Sequence, residues 1–284
     1  VTLAVSAALD AAVARLAAAG IERPREEALR LLALALGTDR GGVLARRPDA
    51  LPPALEASLD RLLARRAARE PLQYLTGEQE FRGLAMAVDG RVLIPRPETE
   101  EVVDAVLALD LPAGGAVADL GTGSGCIAIA LKVARPDLTV LALDRSPEAL
   151  QVARANAGRH GVAVTFEEGD FALPPVSWNG SLDAVVSNPP YVSQEEWEGL
   201  APEVRLHEPR VALVPGESGL EAYRALVPAA TRLLAPGGFL LLELGWRSSE
   251  PVRALAAAAG FREVEVRNDL RGIPRILCAR WGGP

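Results

Sequence analysis

Asn188-Pro189-Pro190-Tyr191 is the stretch of this sequence whose residue types are best suited to chemistry. Asn188 offers a side-chain carbonyl acceptor, and the backbone carbonyl of Pro189 offers a second. Both prolines lack an N–H and restrict φ, and Asn188, preceding a proline, is held extended. The loop is thereby stiffened with its acceptors exposed. Tyr191 can lay its ring on a flat face. Two acceptors and a ring suit one task, which is to hold a planar NH2 group, an amide or a base amine, in a single orientation. Orientation for in-line displacement can contribute roughly 7 to 11 kcal/mol in favourable cases. A dedicated base is not required, because the proton can leave after the new bond to nitrogen has formed.

The tetrapeptide follows the apolar run Leu182 to Ser187, which predicts a position at the C-terminal edge of a strand. From about Glu98 onward such runs alternate with helical stretches: Val117 to Leu120, Thr139 to Leu143, Val162 to Phe166, Leu182 to Ser187, Phe239 to Leu244, Phe261 to Val266 and Arg275 to Ala279. That alternation predicts a doubly wound α/β fold, a mostly parallel sheet covered by helices on both faces. Ser146-Pro147-Glu148 supplies a helix start, with a capping hydroxyl, a proline and an acid near the positive end of the helix dipole.

Asp119-Leu120-Gly121-Thr122-Gly123-Ser124-Gly125 joins a predicted strand to a predicted helix, where a doubly wound fold places its ligand. Cys126 stands where a dinucleotide fingerprint needs its third glycine, so the spacing is GxGxG and a nicotinamide cofactor is disfavoured. With Asp119 two residues ahead of it, the loop resembles the glycine motif of class I S-adenosylmethionine methyltransferases. Asp144, at the end of the next strand, can accept both ribose hydroxyls of an adenosine. Gly169-Asp170-Phe171 follows the third strand, and by that resemblance its acid and ring border the adenine. The planar NH2 group would then face a sulfonium methyl.

The 284 residues are 49% hydrophobic and 24% charged, within ordinary globular limits. No apolar run approaches the length of about 18 residues expected of a membrane span, and Val1 to Gly20 mixes Ala with Asp10 and Arg15. A cytoplasmic location is expected. Cys126 and Cys278 lie too far apart for CxxC spacing, and neither His160 nor His207 has metal-ligand spacing around it, so no metal is expected. Residues 1–86 carry 12 Arg against 11 acidic groups, and the remainder 18 basic against 26 acidic. An acidic second part disfavours wrapping a nucleic-acid backbone.

Residues 1–75 read as a small helical domain. One helix is predicted near Glu26 to Leu36, stopping at Gly37, and another opens at Pro52-Pro53 and carries Leu55, Leu59, Leu62 and Leu63. Residues 76–97, punctuated by Gly77, Gly83 and Gly90, read as a hairpin linker, and 98–284 as the catalytic domain. Arg61, Arg65, Arg66 and Arg69 lie on adjacent helical turns, which predicts a solvated face or, failing that, a surface for an acidic partner.

Glu70 to Gly77, Glu80-Phe81 and Leu93-Ile94-Pro95-Arg96-Pro97-Glu98-Thr99-Glu100 resemble the linker signature of the release factor glutamine methyltransferases, the HemK/PrmC family. Glu208 to Leu213, Gly219-Leu220 and Glu243-Leu244-Gly245 are also similar to that family. The resemblance implies a seven-stranded class I methyltransferase fold and a helical substrate-recognition domain. It further implies S-adenosylmethionine as cofactor and N5-methylation of the glutamine in the GGQ motif of bacterial class I peptide chain release factors. It puts cofactor contacts on Gly121, Thr122, Gly123, Ser124, Gly125, Asp144, Phe171 and Asn188, and substrate contacts on Asn188, Pro189, Pro190 and Tyr191. Catalysis falls to Asn188, Pro189 and Tyr191. Gly245-Trp246-Arg247-Ser248 and the stretch after Asp269-Leu270 depart from the family's pattern without touching this chemistry. Pro95 to Glu100 could be an active-site wall or a rigid joint. A ribosomal-protein glutamine and, less readily, a DNA adenine remain as other substrates for the same loop. A non-catalytic cofactor-binding module would not need Asn188 and Tyr191. A monomer is expected.

Overall fold

The computed structural model describes residues 3–269 and 271–283, so Leu270 of the departure noted above lies outside the described residues. The chain divides into two compact units, Val1–Gly77 with Ala201–His207, and Glu78–Leu200 with Glu208–Pro284. No helix among the described residues is long and apolar enough to cross a membrane.

The first unit is helical: α1 (Val5–Ala18), α2 (Pro24–Leu36), α3 (Arg40–Ala45), α4 (Pro53–Ala67) and α5 (Leu72–Thr76). α2 begins at a proline and ends where Gly37 takes a left-handed φ of 60°, a conformation that costs glycine little. Leu9, Leu16, Leu31, Leu32, Leu59 and Leu63 share its core. The four arginines divide: Arg61 and Arg65 are exposed, as a solvated face requires, while Arg66 and Arg69, just past the end of α4, are turned inward. Arg66, with 6% of its side chain exposed, donates to Glu27 at 2.5 Å and to Glu203 at 3.0 Å. Arg69 donates to Glu203 at 2.9 Å, and Arg65 to Glu70 at 2.8 and 2.6 Å. Glu203 comes from the Ala201–His207 segment, whose carboxylate is held in the unit by two arginines. Helical periodicity cannot disclose a partner 137 positions away.

The second unit starts with a hairpin, β1 (Glu78–Phe81) and β2 (Leu84–Ala87). Its two turn residues, Arg82 and Gly83, have φ of 52° and 76°, as a turn matched to strand twist requires. Glu100 accepts from the Arg82 amide at 3.1 Å and Asp104 from its guanidinium at 2.6 Å, which holds a non-glycine residue in that conformation. There follow α6 (Pro97–Leu107), β3 (Ala116–Leu120), α7 (Cys126–Ala134), β4 (Thr139–Asp144), α8 (Pro147–Arg159), β5 (Thr165–Glu168) and β6 (Leu182–Ser187). After the short helix α9 (Gln194–Gly199), and past α10 (Pro202–His207), which belongs to the first unit, come α11 (Glu221–Leu233), β7 (Leu234–Glu243), α12 (Ser249–Ala258), β8 (Phe261–Asn268) and β9 (Pro274–Trp281).

The seven-stranded sheet has the order β5-β4-β3-β6-β7-β9-β8. Strands β5 to β7 are parallel, and β9 runs antiparallel to both β7 and β8. Neighbouring residues of a central strand enter opposite cores. Val117, Ala184, Val186 and Leu241 face the α6 and α7 side, while Ala118, Val185, Leu240 and Leu242 face the α11 and α12 side. Burial on both faces explains why these strands read as continuous apolar runs. Chain order reverses between β3 and β6, which makes a crevice at their C-terminal ends.

β8 and β9 extend past their expected ends, to Asn268 and Trp281, and two other strands depart further. The third pairs over Thr165–Glu168 and not from Val162, because Val162 and Val164 pack against the core before pairing begins. β7 starts at Leu234, ahead of the Pro236-Gly237-Gly238 break that makes Phe239 look like its first residue. A register shift between Leu182 and Ala184 of β6 absorbs that break.

Candidate active site

The glycine loop leaves β3 at the crevice. Gly121 and Thr122 donate their amides to the Leu143 carbonyl at the end of β4, at 2.8 and 3.0 Å. Gly121 and Gly123 have φ of 79° and 56°, and a side chain at either would point into open space. Gly125, at φ 82°, caps α7, and a Cβ there would stand 3.0 Å from Ile129 and 3.1 Å from the Ala153 Cβ. The first two glycines therefore keep a cradle open, while the third allows two helices to approach. Gly125→Ala is expected to cost about 1–3 kcal/mol of stability from strain and crowding, read as a lower urea midpoint with an unchanged m-value.

Asp144 is preorganised by backbone donors. Gly123 N–H donates to its Oδ2 at 2.8 Å and Ser146 N–H to its Oδ1 at 2.9 Å. Each carboxylate oxygen keeps a further lone pair for a ribose hydroxyl. Ser146 caps α8 by accepting from the Ala149 amide at 3.1 Å, and Pro147 occupies its first turn, as predicted. Asn156 of α8 is fully buried, bonded to both backbone groups of Ala87 at 2.7 and 3.0 Å, and it donates to the Ser124 carbonyl at 2.9 Å. It ties the loop to β2. Sequence patterning gives it no prominence, since an Asn inside a helix reads as a surface residue.

Asp119 is buried beneath the loop and accepts from the Thr122 hydroxyl at 2.6 Å through Oδ2, while Oδ1 has no partner of good hydrogen-bond geometry among the described residues. Burial pushes its carboxyl up to about 7, against the Thr122 hydrogen bond. Between the unfolded value of about 3.9 and this raised value, the folded chain holds a proton that the unfolded chain has released. Its contribution to stability therefore falls as pH rises through that window and is level above it. Asp119→Asn should remove that slope, gaining stability relative to the parent between about pH 4.5 and about pH 7.5 in guanidinium melts. A pH-independent difference would contradict this.

β6 delivers the tetrapeptide to the same place. The buried Ser187 hydroxyl donates to the Leu120 carbonyl at 2.5 Å, locking the end of β6 to the end of β3. The Asn188 amide nitrogen donates to the Thr99 hydroxyl at 3.0 Å. Thr99 donates to Glu243 Oε2 at 2.6 Å, and the Tyr191 hydroxyl to Glu243 Oε1 at 3.1 Å. Burial raises the Glu243 carboxyl above its ordinary value, and burial followed by the nearby Glu243 charge raises the Tyr191 phenol well above its own. A Cβ at Gly245 would meet the Tyr191 ring at 2.7 Å, so only glycine fits behind that ring.

One cavity of about 530 Å³ is lined by Gly121, Thr122, Gly123, Ser124, Asp144, Phe171, Asn188 and Pro190 of the predicted set, joined by Pro95, Arg96 and Thr99. Gly125, Pro189 and Tyr191 are not in its lining. The Pro95 to Glu100 segment thus contributes to the cavity wall, and it lies within the second unit. It starts α6, and it is pinned by buried Glu208, which accepts from the Ile94 amide at 3.1 Å and from Arg96 at 2.5 Å. Cys126 also borders the cavity, but burial pushes its thiol up to about 12, which disfavours the thiolate. An open glycine cradle, a preorganised carboxylate and a ring at the third strand end fit an adenosine-bearing cofactor. Thr99, Glu208 and Glu243 stand in stretches that resemble the family, but neither that resemblance nor local patterning gives their side chains a role, and Asn156 carries no such signal. The available signal for Glu243 was an acid inside the apolar run Leu240 to Leu244.

Residues 7–77 match the family described as PrmC N-terminal domain, and 103–216 that described as methyltransferase small domain. A solved methyltransferase from Pyrococcus furiosus, 19% identical, superposes with a TM-score of 0.53 over 72% of this chain and 91% of its own, a likeness of fold. The release factor glutamine methyltransferase of Moorella thermoacetica is 48% identical, covering 96% of each chain. That of Cereibacter sphaeroides is 46% identical over 96% of this chain and 97% of its own. That of Deinococcus radiodurans is 43% identical over 97% and 98%. Identity of this extent, on a doubly wound sheet with an adenosine cradle at its switch point, places the chain in the release factor glutamine methyltransferase family, as an S-adenosylmethionine-dependent methyltransferase.

Proposed function

We propose that this protein methylates the side-chain amide nitrogen (N5) of the glutamine in the GGQ motif of bacterial class I peptide chain release factors. The observation that carries this reading is the Asn188 side chain at the cavity wall, with its NH2 end engaged by Thr99 and its carbonyl oxygen left to accept from a substrate amide. S-adenosylmethionine, when bound, supplies an electrophilic methyl on a positively charged sulfonium.

The chain's own residues bind and orient. Gly121 to Ser124 would cradle the cofactor, with Gly125 letting α7 and α8 approach behind them, while Asp144 would accept the ribose hydroxyls and Phe171 border the adenine. Asn188 Oδ1 and the Pro189 carbonyl accept the two N–H groups of the glutamine amide. That aims the nitrogen and limits its rotation. Tyr191, fixed at its hydroxyl and backed by Gly245, lays its ring against the amide plane, and Pro190 stiffens the loop. The nitrogen sheds its proton after transfer, so no side chain needs to be a strong base. The helical unit recognises the release factor, and residues 76–97 form the connection to a methyltransferase domain over 98–284. The enzyme acts as a cytoplasmic monomer on protein and not on nucleic acid.

Labelled S-adenosylmethionine tests the substrate. Release factor should be labelled and its GGQ Gln→Ala variant should not, while a ribosomal protein and adenine-containing DNA stay blank. Label that persists in the Gln→Ala variant would refute the glutamine assignment, and label in either control would move the substrate to that class.

A further inference from the structure

An asparagine side chain has an acceptor and a donor end of nearly equal shape, so its neighbours decide which end faces the cavity. For methyl transfer to a substrate NH2 that choice matters. A carbonyl oxygen presented to the substrate attracts its N–H groups, and an NH2 presented to it sets donor against donor.

The choice is made two residues away. We infer that Glu243, acting through Thr99, is the positioning residue that turns the Asn188 carbonyl toward the substrate, an assignment that rests on the amide reading of the site. Against its burial, the two hydroxyl bonds and the nearby Arg275 charge favour the ionised form of Glu243, and an ionised carboxylate only accepts. Glu243 takes the single hydroxyl proton of Thr99 on Oε2 and that of Tyr191 on Oε1, at 2.6 and 3.1 Å. Thr99, with its proton committed, is left as an acceptor toward Asn188, and the Asn188 NH2 donates to it at 3.0 Å. The oxygen of Asn188 is thereby directed away from Thr99. Thr99 is 2% exposed and Glu243 1%, so water does not offer either group another partner. A buried acid is costly to a fold, and its contacts here run to Thr99, which holds Asn188, and to Tyr191 of the same tetrapeptide. One carboxylate thus sets the polarity of Asn188 and the anchor point of Tyr191 together.

Thr99→Val keeps the shape and removes the hydroxyl, Thr99→Ser keeps the hydroxyl, and Glu243→Gln keeps the size but offers a donor as well as an acceptor. With release factor as substrate, Thr99→Val and Glu243→Gln should each lower kcat about tenfold to a hundredfold. Cofactor Kd and the KM for release factor should stay within about threefold, and Thr99→Ser should return kcat to within about threefold of the parent. Cofactor titration of each variant reports whether the site is folded. If Glu243→Gln fails to bind cofactor, Thr99→Val decides. If both fail, the role is structural and the inference falls. It falls equally if both variants turn over at the parental rate, or if Thr99→Ser is as slow as Thr99→Val. The side-chain 15N–1H signals of Asn188 give a readout that needs no substrate. A hydrogen-bonded NH2 should be present in the parent and Thr99→Ser and absent in Thr99→Val. A parent that shows this signal yet labels no release factor would overturn the substrate assignment while leaving the polarity relay standing.

Discussion

Asn188→Ala should lower kcat by about a thousandfold or more while cofactor Kd changes by no more than a few-fold, since the lost acceptor acts on the reacting group. Without that acceptor the substrate amide can rotate about its own bonds, and the fraction of time its nitrogen points at the methyl falls. The scaffold should survive. Thr99 still donates to Glu243, and Ser187 still locks β6 to β3. Single-turnover rates with preformed cofactor complex, set beside calorimetric Kd values, separate the two effects. Asn188→Asp should not rescue the rate, although it too offers an acceptor. Its carboxylate would compete with Glu243 for the one hydroxyl proton of Thr99 and place a second negative charge beside a buried first. Parental turnover in Asn188→Ala would show that orientation by this residue does not drive the reaction.

Asp144→Ala should give the opposite kinetic signature, with cofactor Kd raised about a hundredfold or more and kcat at saturating cofactor within a few-fold of the parent. Hydrogen bonds to a charged group contribute about 1.5–3 kcal/mol each, and two ribose hydroxyls would lose theirs together. The Gly123 amide also loses its partner at 2.8 Å, so the cradle relaxes at the point where it must meet the cofactor. Asp144→Asn should fall between the two, because its single carbonyl oxygen cannot accept from both sides. If Asp144→Ala slowed saturated turnover as much as Asn188→Ala does, the division between a cofactor residue and a substrate residue would be wrong.

Much of the fold was legible because the parallel strands are buried on both faces, which leaves apolar runs bounded by glycine, proline and acidic residues. Leu182–Ser187 was read to the residue, and Thr139–Asp144 nearly so. Errors fell where local patterning and pairing part company. Val162 and Val164 are apolar for the core and not for the sheet, and Pro236-Gly237-Gly238 looks like an interruption although β7 runs through it. Arg66 of α4 departs from its exposed neighbours Arg61 and Arg65 for a related reason, since a charged helix position looks solvated until Glu27 and Glu203 are brought against it.

By itself the sequence determined the chemistry on offer. Asn188 to Tyr191 carry their acceptors, rigidity and ring within four consecutive residues, and GxGxG with Asp144 carries a ligand cradle within one βαβ unit. Such properties belong to residue type and short spacing, so they can be read before folding. The tertiary structure alone decided how that chemistry is aimed. Thr99 and Glu243 lie 144 positions apart, and Asn188 and Thr99 lie 89 apart. They meet only because the start of α6 and the ends of β6 and β7 converge at one edge of the sheet. A hydrogen bond acquires direction from which group meets which in a space closed to water, and neither condition exists until the chain is packed. The tetrapeptide therefore supplies an acceptor, and the fold chooses the way it faces.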